Sequence, residues 1–148
     1  MINDLRLLIE RRLNSIKTEY GIVEISYRVA ADDQLFPHIV YDFTDVSPMD
    51  MGREDFTVDV HIWDKDQFRA FEILDALREV FAFLNAPHDL DQEDLIGVID
   101  PQTILPTFYE MSSGSIDDPD KSIIHIVLRM QVQVYETSAT DAGILGKE

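Results

Sequence analysis

The four histidines are the side chains best suited to acid–base chemistry or metal binding near neutral pH. They are His38, His61, His88 and His125, each in a separate segment. Their spacing lacks the His-Glu-x-x-His pattern of a zinc helix, and the chain has no cysteine to complete a zinc site. We expect His61 and His125 on neighbouring strands, on one polar face near Asp59. Two interpretations remain: solvated histidines on a sheet face, or a metal site.

Other residues that could take part in catalysis lack the spacing that it requires. The acidic segment 89–94 begins like a calcium-binding loop, but Asp94 occupies the sixth position, where the sharp turn needs glycine. A run of solvated charges explains this segment better. Ser112, Ser113 and Ser115 surround a glycine without the pattern of a nucleophile elbow, and the glycines form no phosphate-binding loop. The sequence therefore predicts a protein that is not an enzyme and needs no cofactor.

Charge is the strongest bias in the composition. The 148 residues include 29 acidic and 12 basic side chains, for a net charge of −17. This is the reverse of the basic surface that binds nucleic-acid phosphates. Such a charge keeps a protein soluble, or prevents DNA and acidic partners from adhering. With no cysteine, no signal-like N-terminus and no apolar run near the ~18 residues of a membrane helix, we expect a soluble intracellular protein without a membrane partner.

The longest regular pattern lies near the C-terminus. In residues 122–135 an apolar side chain occupies every second position, and the residues between them include Arg129, Gln131 and Gln133. This alternation predicts a strand with one buried and one polar face. At about 3.3 Å per residue the strand would extend roughly 40 Å, well beyond the usual length. It must therefore bend, project from the body or pair with a neighbouring chain.

Apolar spacing elsewhere predicts two helices and several shorter strands. The helices are expected over residues 2–18 and 65–84. Asn3 or Asp4 would cap the first helix, and Asp64 with Gln67 would form the reciprocal cap of the second. The shorter strands are expected over residues 22–29, 36–43, 55–63, 95–99 and 107–111. Polar loops are expected over residues 45–54 and 112–121, and a mobile tail over residues 137–148.

These elements predict an α+β fold, with a single antiparallel or mixed β-sheet, two helices packed on one face and long projecting loops. Residues 1–136 are expected to form one domain, because a chain of this length with 45% hydrophobic residues supports a single core. Phe68 and Phe83 fall on the polar side of the second helix. Either end loops cover these two rings, or the rings contact another subunit.

Four segments in this order match a pattern seen in a known family. They are Phe36-Pro-His-Ile-Val-Tyr, Phe56-Thr-Val-Asp-Val-His-Ile-Trp-Asp64, Ala70-Phe-Glu-Ile-Leu-Asp-Ala-Leu77 and the strand from Ile124 to Tyr135. Over about residues 2–136 the chain resembles the tail-completion and tail-terminator proteins of long-tailed bacteriophages. The shared pattern is a Pro-His-x-Val strand and a strand that ends in Ile-Trp before a helix. It contains no catalytic signature.

The resemblance implies a small structural subunit of a phage, a prophage or a tail-like particle. Such a subunit assembles as a ring, commonly a hexamer, on the head-proximal end of the tail tube, where it stops tube growth and joins the tail to the head. Its expected partners are further copies of itself, the tail tube protein and the head connector protein, while DNA passes through without specific binding. It would occupy the host cytoplasm during assembly and the head–tail junction of the virion afterwards.

Ring assembly requires surfaces that contact other subunits. The long strand, the two polar loops and the outward-facing aromatic rings offer such surfaces. The candidate interface residues are Phe68, Phe83, Met49, Met51, Arg53, Ile116, Asp117, Asp118, Arg129, Gln131 and Gln133. An acidic lumen would repel phosphates and let DNA pass.

Two other functions fit parts of the sequence. A small acidic secretion chaperone would bind an extended client segment along hydrophobic grooves, as a dimer that co-purifies with its client. A hydrolase would use His61, Asp59 and His125 with a bound metal. The chaperone is the main alternative to the structural role.

Overall fold

One mixed sheet and two helices make up the described part of the chain. The computed structural model describes residues 2–28, 35–48, 53–83 and 104–136. Within them the order is α1 (Ile2–Ser15), β1 (Glu24–Tyr27), β2 (His38–Pro48), β3 (Arg53–Asp64), α2 (Gln67–Phe83), β4 (Ile104–Ile116) and β5 (Ile124–Glu136). The strand order is β1-β2-β3-β5-β4, with β1 parallel to β2 and the other neighbours antiparallel. The predicted α+β fold is confirmed, whereas the expected strand at 95–99 and tail at 137–148 lie outside the described residues.

Both helices pack on the same face of the sheet, and the core lies between the two layers. α1 buries Leu5, Leu8 and Leu13 completely, at the spacing of one helix face. The strands contribute their alternating apolar side chains: Ile39, Tyr41, Phe56, Val58, Val60, Ile62, Phe108, Ile126, Leu128, Met130, Val132 and Val134. The Tyr41 hydroxyl also donates a hydrogen bond of 2.7 Å to Oε1 of Glu10, which ties α1 to the sheet. No helix among the described residues is both long and apolar enough to span a membrane.

The ends of α1 differ from the predicted ones. The helix already begins at Ile2, so the predicted cap positions Asn3 and Asp4 are its second and third residues. It stops at Ser15, three residues earlier than predicted. The turns that follow reach Gly21, whose φ of 63° lies in the left-handed region that glycine adopts without a Cβ clash.

α2 begins two residues later than predicted, because a different aspartate provides its cap. Oδ1 of Asp66 accepts a hydrogen bond of 3.2 Å from the backbone N–H of Arg69, as an N-cap residue does. Asp64, the predicted cap, is fully buried and accepts hydrogen bonds from Nε and Nη2 of Arg69 at 2.7 and 2.6 Å. Gln67 is the first residue of the helix rather than part of a reciprocal cap.

β1 is shorter than the alternation in residues 22–29 predicts, and it has four residues. Arg28 has a φ of 72°, a left-handed conformation that turns the chain away from the extended path after Tyr27. Its backbone N–H still donates a hydrogen bond of 2.8 Å to the carbonyl of Tyr41.

β2 and β3 form a longer hairpin than the sequence predicts. Their pairing extends to Pro48 and Glu54, with one bulge, so most of the predicted loop over residues 45–54 is strand. β1 covers only the first four residues of β2. The remainder of β2 is therefore an edge of the described sheet, where proline and turn-forming residues are tolerated.

β5 confirms the predicted long strand, and its neighbours match its length. Its 13 residues pair along their length with the 12 residues of β3 and the 13 residues of β4. The strand thus finds its partners within the chain and does not project alone. β4 includes the first part of the predicted loop over residues 112–121, because pairing with β5 overrides the weak strand propensity of its serines.

Candidate functional site

The face of the sheet opposite the helices, called the open face below, carries most of the polar groups singled out in the sequence. It is formed by every second residue of β3 and β5, since the residues between them point into the core. On this face Trp63 lies opposite His125, and Asp59 lies opposite Arg129.

Trp63 lies among three histidines: His61 on its own strand, and His38 and His125 on the two adjacent strands. Its ring stacks on His38 at a centroid distance of 4.9 Å, on His61 at 5.4 Å and on His125 at 4.3 Å. We call these four residues the histidine–tryptophan cluster. His61 and His125 also share a hydrogen bond of 2.8 Å between Nδ1 and Nε2. The prediction that these two histidines lie on neighbouring strands is confirmed, whereas His38 is a member that the sequence pattern did not predict.

Burial favours the neutral form of the clustered histidines. Desolvation lowers the pKa of His61, although the charge of Asp59 opposes the shift. Burial, reinforced by the neighbouring His61, lowers the pKa of His125. Burial also lowers the pKa of His38, although the Leu35 carbonyl accepts a hydrogen bond of 3.1 Å from its Nδ1. His38 is only 2% exposed, and its Nε2 has no hydrogen-bond partner among the described residues.

Asp59, the third member of the predicted metal group, is held by Arg129. Its two carboxylate oxygens accept hydrogen bonds of 2.8 and 2.9 Å from Nε and Nη2 of the guanidinium. No group of three or more histidine, cysteine, aspartate or glutamate side chains within the described ranges could hold a metal ion. The described structure therefore does not assemble His61, Asp59 and His125 into the site that a metal hydrolase needs.

The serines that the sequence places in a loop lie on β4 instead. Ser112 and its neighbours line a shallow depression of about 300 Å³ on the surface beside Arg129. Ser113 donates a hydrogen bond of 3.1 Å to Glu110 and accepts one from the guanidinium of Arg78. Its hydroxyl is thus part of an ion-pair network between α2 and β4 and is not presented as a nucleophile.

The candidate interface residues divide between the two sides of the sheet. Arg129, Gln131 and Gln133 follow one another along β5 on the open face, and the exposed Ile116 lies opposite His125 at the end of β4. Phe68 lies on α2, in the layer that covers the other face. It is 83% exposed, so no loop among the described residues covers it.

The remaining candidates lie near the ends of strands and helices. Arg53 begins β3, and its guanidinium donates hydrogen bonds of 2.9 and 3.0 Å to Asp55. Asp117 and Asp118 follow the end of β4. Phe83 is the last residue of α2, and its side chain is outside what the structure describes. Met49 and Met51 also lie outside the described residues.

Comparison with known proteins gives a likeness of fold. No protein-family profile matches the sequence, and no curated protein is similar to it. Among solved structures, a chain in the virion of a native gene transfer agent (GTA) particle is similar with a TM-score of 0.61. The match covers 86% of this chain and 91% of that chain at 8% sequence identity. The two chains therefore share a fold over nearly their whole lengths.

Proposed function

We propose that the protein is a non-enzymatic structural subunit of a phage-like particle, which forms a ring that caps the tail tube and joins the tail to the head connector. The observation that carries this proposal is the fold shared with a chain of the GTA virion at a TM-score of 0.61. The match spans most of both chains, so it concerns the whole subunit rather than a common supersecondary motif.

The positions of the resemblance motifs add support. Pro37 directly precedes β2, which begins at His38, and Trp63 is the second-last residue of β3. The register places His38 directly opposite Trp63. The stacked rings of these two residues, 4.9 Å apart, hold the ends of both strands together. The residues of the resemblance pattern are therefore in contact in the fold, which supports the proposal that they have a structural role.

Two surfaces are suited to contacts with other subunits. The first is the open face with Arg129, Gln131 and Gln133, extended by Ile116 and by Asp117 and Asp118 beyond it. The second is the exposed Phe68 on α2, to which we add Phe83 from the same helix. Arg53 lies at the end of the hairpin of β2 and β3 that is remote from the histidine–tryptophan cluster, where it would meet the tail tube or the connector. We assign Met49 and Met51, from the sequence between the two strands, to the same contact.

Gene deletion tests the proposal. Removing the gene from a phage, prophage or particle-producing strain should yield tails of abnormal length, or separate heads and tails, by negative-stain electron microscopy. A plasmid copy of the wild-type gene should restore joined particles. A plasmid that encodes Phe68→Asp tests whether Phe68 belongs to an interface that this restoration needs. Normal particles from the deletion strain would reject the structural role. Co-purification of the protein as a dimer with a secreted client would favour the chaperone instead.

A further inference from the structure

We propose that His61 and His125 form a binding site for a divalent transition-metal cation on the open face, with Cu²⁺ preferred to Ni²⁺ and Zn²⁺. The two imidazoles come from the adjacent strands β3 and β5, and Nδ1 of His61 lies 2.8 Å from Nε2 of His125. Imidazole nitrogen is a common ligand of all three metals. The inference does not depend on the proposed function, because it rests on these two side chains.

The separation of the two nitrogens places both ligands within reach of one ion. Two ligands bound at about 2.0 Å lie about 2.8 Å apart at a right angle and about 3.3 Å apart at the tetrahedral angle. The 2.8 Å between Nδ1 and Nε2 is the length of their hydrogen bond, so an ion that replaces the shared proton needs the two nitrogens at about this spacing or slightly farther apart. The general affinity order of nitrogen ligands for divalent metals places Cu²⁺ above both Ni²⁺ and Zn²⁺.

The protonation of the pair is compatible with metal binding. Burial lowers the pKa of both rings, which favours neutral imidazoles near pH 7. A neutral imidazole carries one proton, and in the hydrogen-bonded pair one of the two facing nitrogens holds it. A change of tautomer moves that proton to the other nitrogen of the same ring. Both facing nitrogens can then bind the cation, and neither ring has to release a proton to solvent.

The charged groups near the pair favour a cation. The carboxylates of Asp42, Asp59 and Asp118 act on the two rings in the direction that attracts positive charge. Arg129 and His38 act in the opposite direction. Asp59 and Arg129 are paired by two hydrogen bonds and largely cancel, so Asp42 and Asp118 provide the remaining attraction. Both imidazoles are half-buried rather than enclosed, so water can supply the remaining ligands.

Trp63 provides a built-in reporter of binding. It is the single tryptophan of the sequence, and it stacks on both imidazoles, so Cu²⁺ bound at the pair should quench its fluorescence. Untagged full-length protein, stripped with a chelator, is titrated with CuCl₂ at neutral pH in a buffer that does not bind metals. We expect saturable quenching with one ion per chain, reversed by EDTA. In competition titrations NiCl₂ and ZnCl₂ should each displace Cu²⁺ only when they are in excess over it.

Variants locate the site. His61→Gln and His125→Gln should each weaken Cu²⁺ binding by at least roughly 10-fold, because each removes one ligand. His88→Gln, which changes a histidine on neither β3 nor β5, is the matched control and should bind as the wild type does. Circular dichroism checks that the variants fold. Pulsed EPR of wild-type protein with Cu²⁺ should show two equatorial imidazole nitrogens, which tests the site even if a variant fails to fold. Quenching that does not saturate, equal binding by all three variants, or fewer than two imidazoles would overturn the proposal.

Discussion

Asp64 is a buried carboxylate surrounded by donors at the end of β3. It accepts hydrogen bonds from the backbone N–H groups of Lys65 and Asp66 at 2.7 and 3.2 Å, in addition to two from the side chain of Arg69. Burial would raise the pKa of this carboxyl, but the guanidinium and the backbone donors outweigh it and lower the pKa. Its stabilising contribution is therefore present above the ordinary aspartate pKa near 3.9 and is lost as the pH falls through the lowered value.

Removal of the Arg69 guanidinium tests how much the buried Asp64 carboxylate depends on its ionic partner. Arg69→Met leaves a buried charge without its counter-ion, and we expect the free energy of unfolding to fall by about 3–5 kcal/mol. Arg78→Met is the matched control, because its ion pair with Glu110 is solvent-exposed on both sides and should contribute at most about 1 kcal/mol. Urea denaturation of both variants measures the difference. Equal losses would show that burial of Asp64 does not set the cost.

The histidine–tryptophan cluster predicts a loss of stability on mild acidification. The pKa values of His38, His61 and His125 are lowered in the folded chain, so below about pH 6.5 the unfolded chain binds protons that the folded chain does not. The contribution of the neutral histidines to the free energy of unfolding is fully present above about pH 6.5. Towards pH 5 the free energy of unfolding should fall by up to about 1.4 kcal/mol per pH unit for each histidine that stays neutral.

Urea denaturation at several pH values between about 7 and 5 measures this linkage. His61→Gln removes one titrating group, so its stability should depend less steeply on pH than that of the wild type. Lys65→Gln, a change at an exposed position without a histidine, should leave the slope unchanged. A wild-type slope near zero in this range would contradict the assignment of neutral imidazoles in the cluster.

At the scale of the elements, α2 shows two kinds of apolar residue on one helix. Ala70, Ile73 and Leu77 are completely buried against the sheet, and Phe81 packs on Phe108 of β4 at a centroid distance of 5.0 Å. Phe68 and Phe71 instead belong to the exposed large hydrophobic residues. Exposed aromatic rings contribute little to folding, so they are available for contacts outside the chain.

Alanine substitutions should separate these two roles. Phe81→Ala should lower the free energy of unfolding by about 3–5 kcal/mol, since it opens a cavity in the core. Phe68→Ala should change it by less than about 0.5 kcal/mol, as is usual for surface positions. Thermal unfolding monitored by circular dichroism compares the two variants. A large loss in Phe68→Ala would mean that this ring supports the fold and is not free for an interface.

At the scale of the whole molecule, charge would oppose the proposed assembly. The chain carries a net charge of −17, and copies of it in the proposed ring would repel one another unless salt or partners screen the charge. The Debye length falls from about 30 Å at 0.01 M ionic strength to about 8 Å at 0.15 M. Apolar contacts such as those we assign to Phe68 must overcome the remaining repulsion.

The proposed ring should therefore become more stable as salt increases. Multi-angle light scattering at low and near-physiological ionic strength should show a shift towards the oligomer, alone or with tail tube protein added. Phe68→Asp adds a charge at the contact and should lower the oligomeric fraction at every salt concentration, whereas Lys17→Gln on the turn after α1 is the charge-changing control. An unchanged mass for Phe68→Asp would remove this residue from the interface.

Periodicity alone was sufficient to identify two helices and most strands, together with the polar and buried faces of β3 and β5. Burial of apolar side chains decides which face of an alternating strand points into the core, so Val58 and Val60 are expected in the core and His61 and Trp63 outside it. The same reasoning correctly placed His61 and His125 on neighbouring strands. It could not give their separation, nor could it include His38, because cross-strand distances depend on a register that no local pattern encodes.

Strand lengths and the partners of charged groups were decided by the tertiary structure. The polar stretches at residues 45–48 and 112–115 contain turn-forming residues, yet they are strands because a long neighbour supplies hydrogen bonds to their backbones. Asp64 shows the same dependence on context. The sequence pattern predicts a helix cap at this residue, but the position of Arg69 in the first turn of α2 makes Asp64 the buried partner of an ion pair instead. Local sequence expresses what each residue prefers, whereas pairing between distant segments determines which preference prevails.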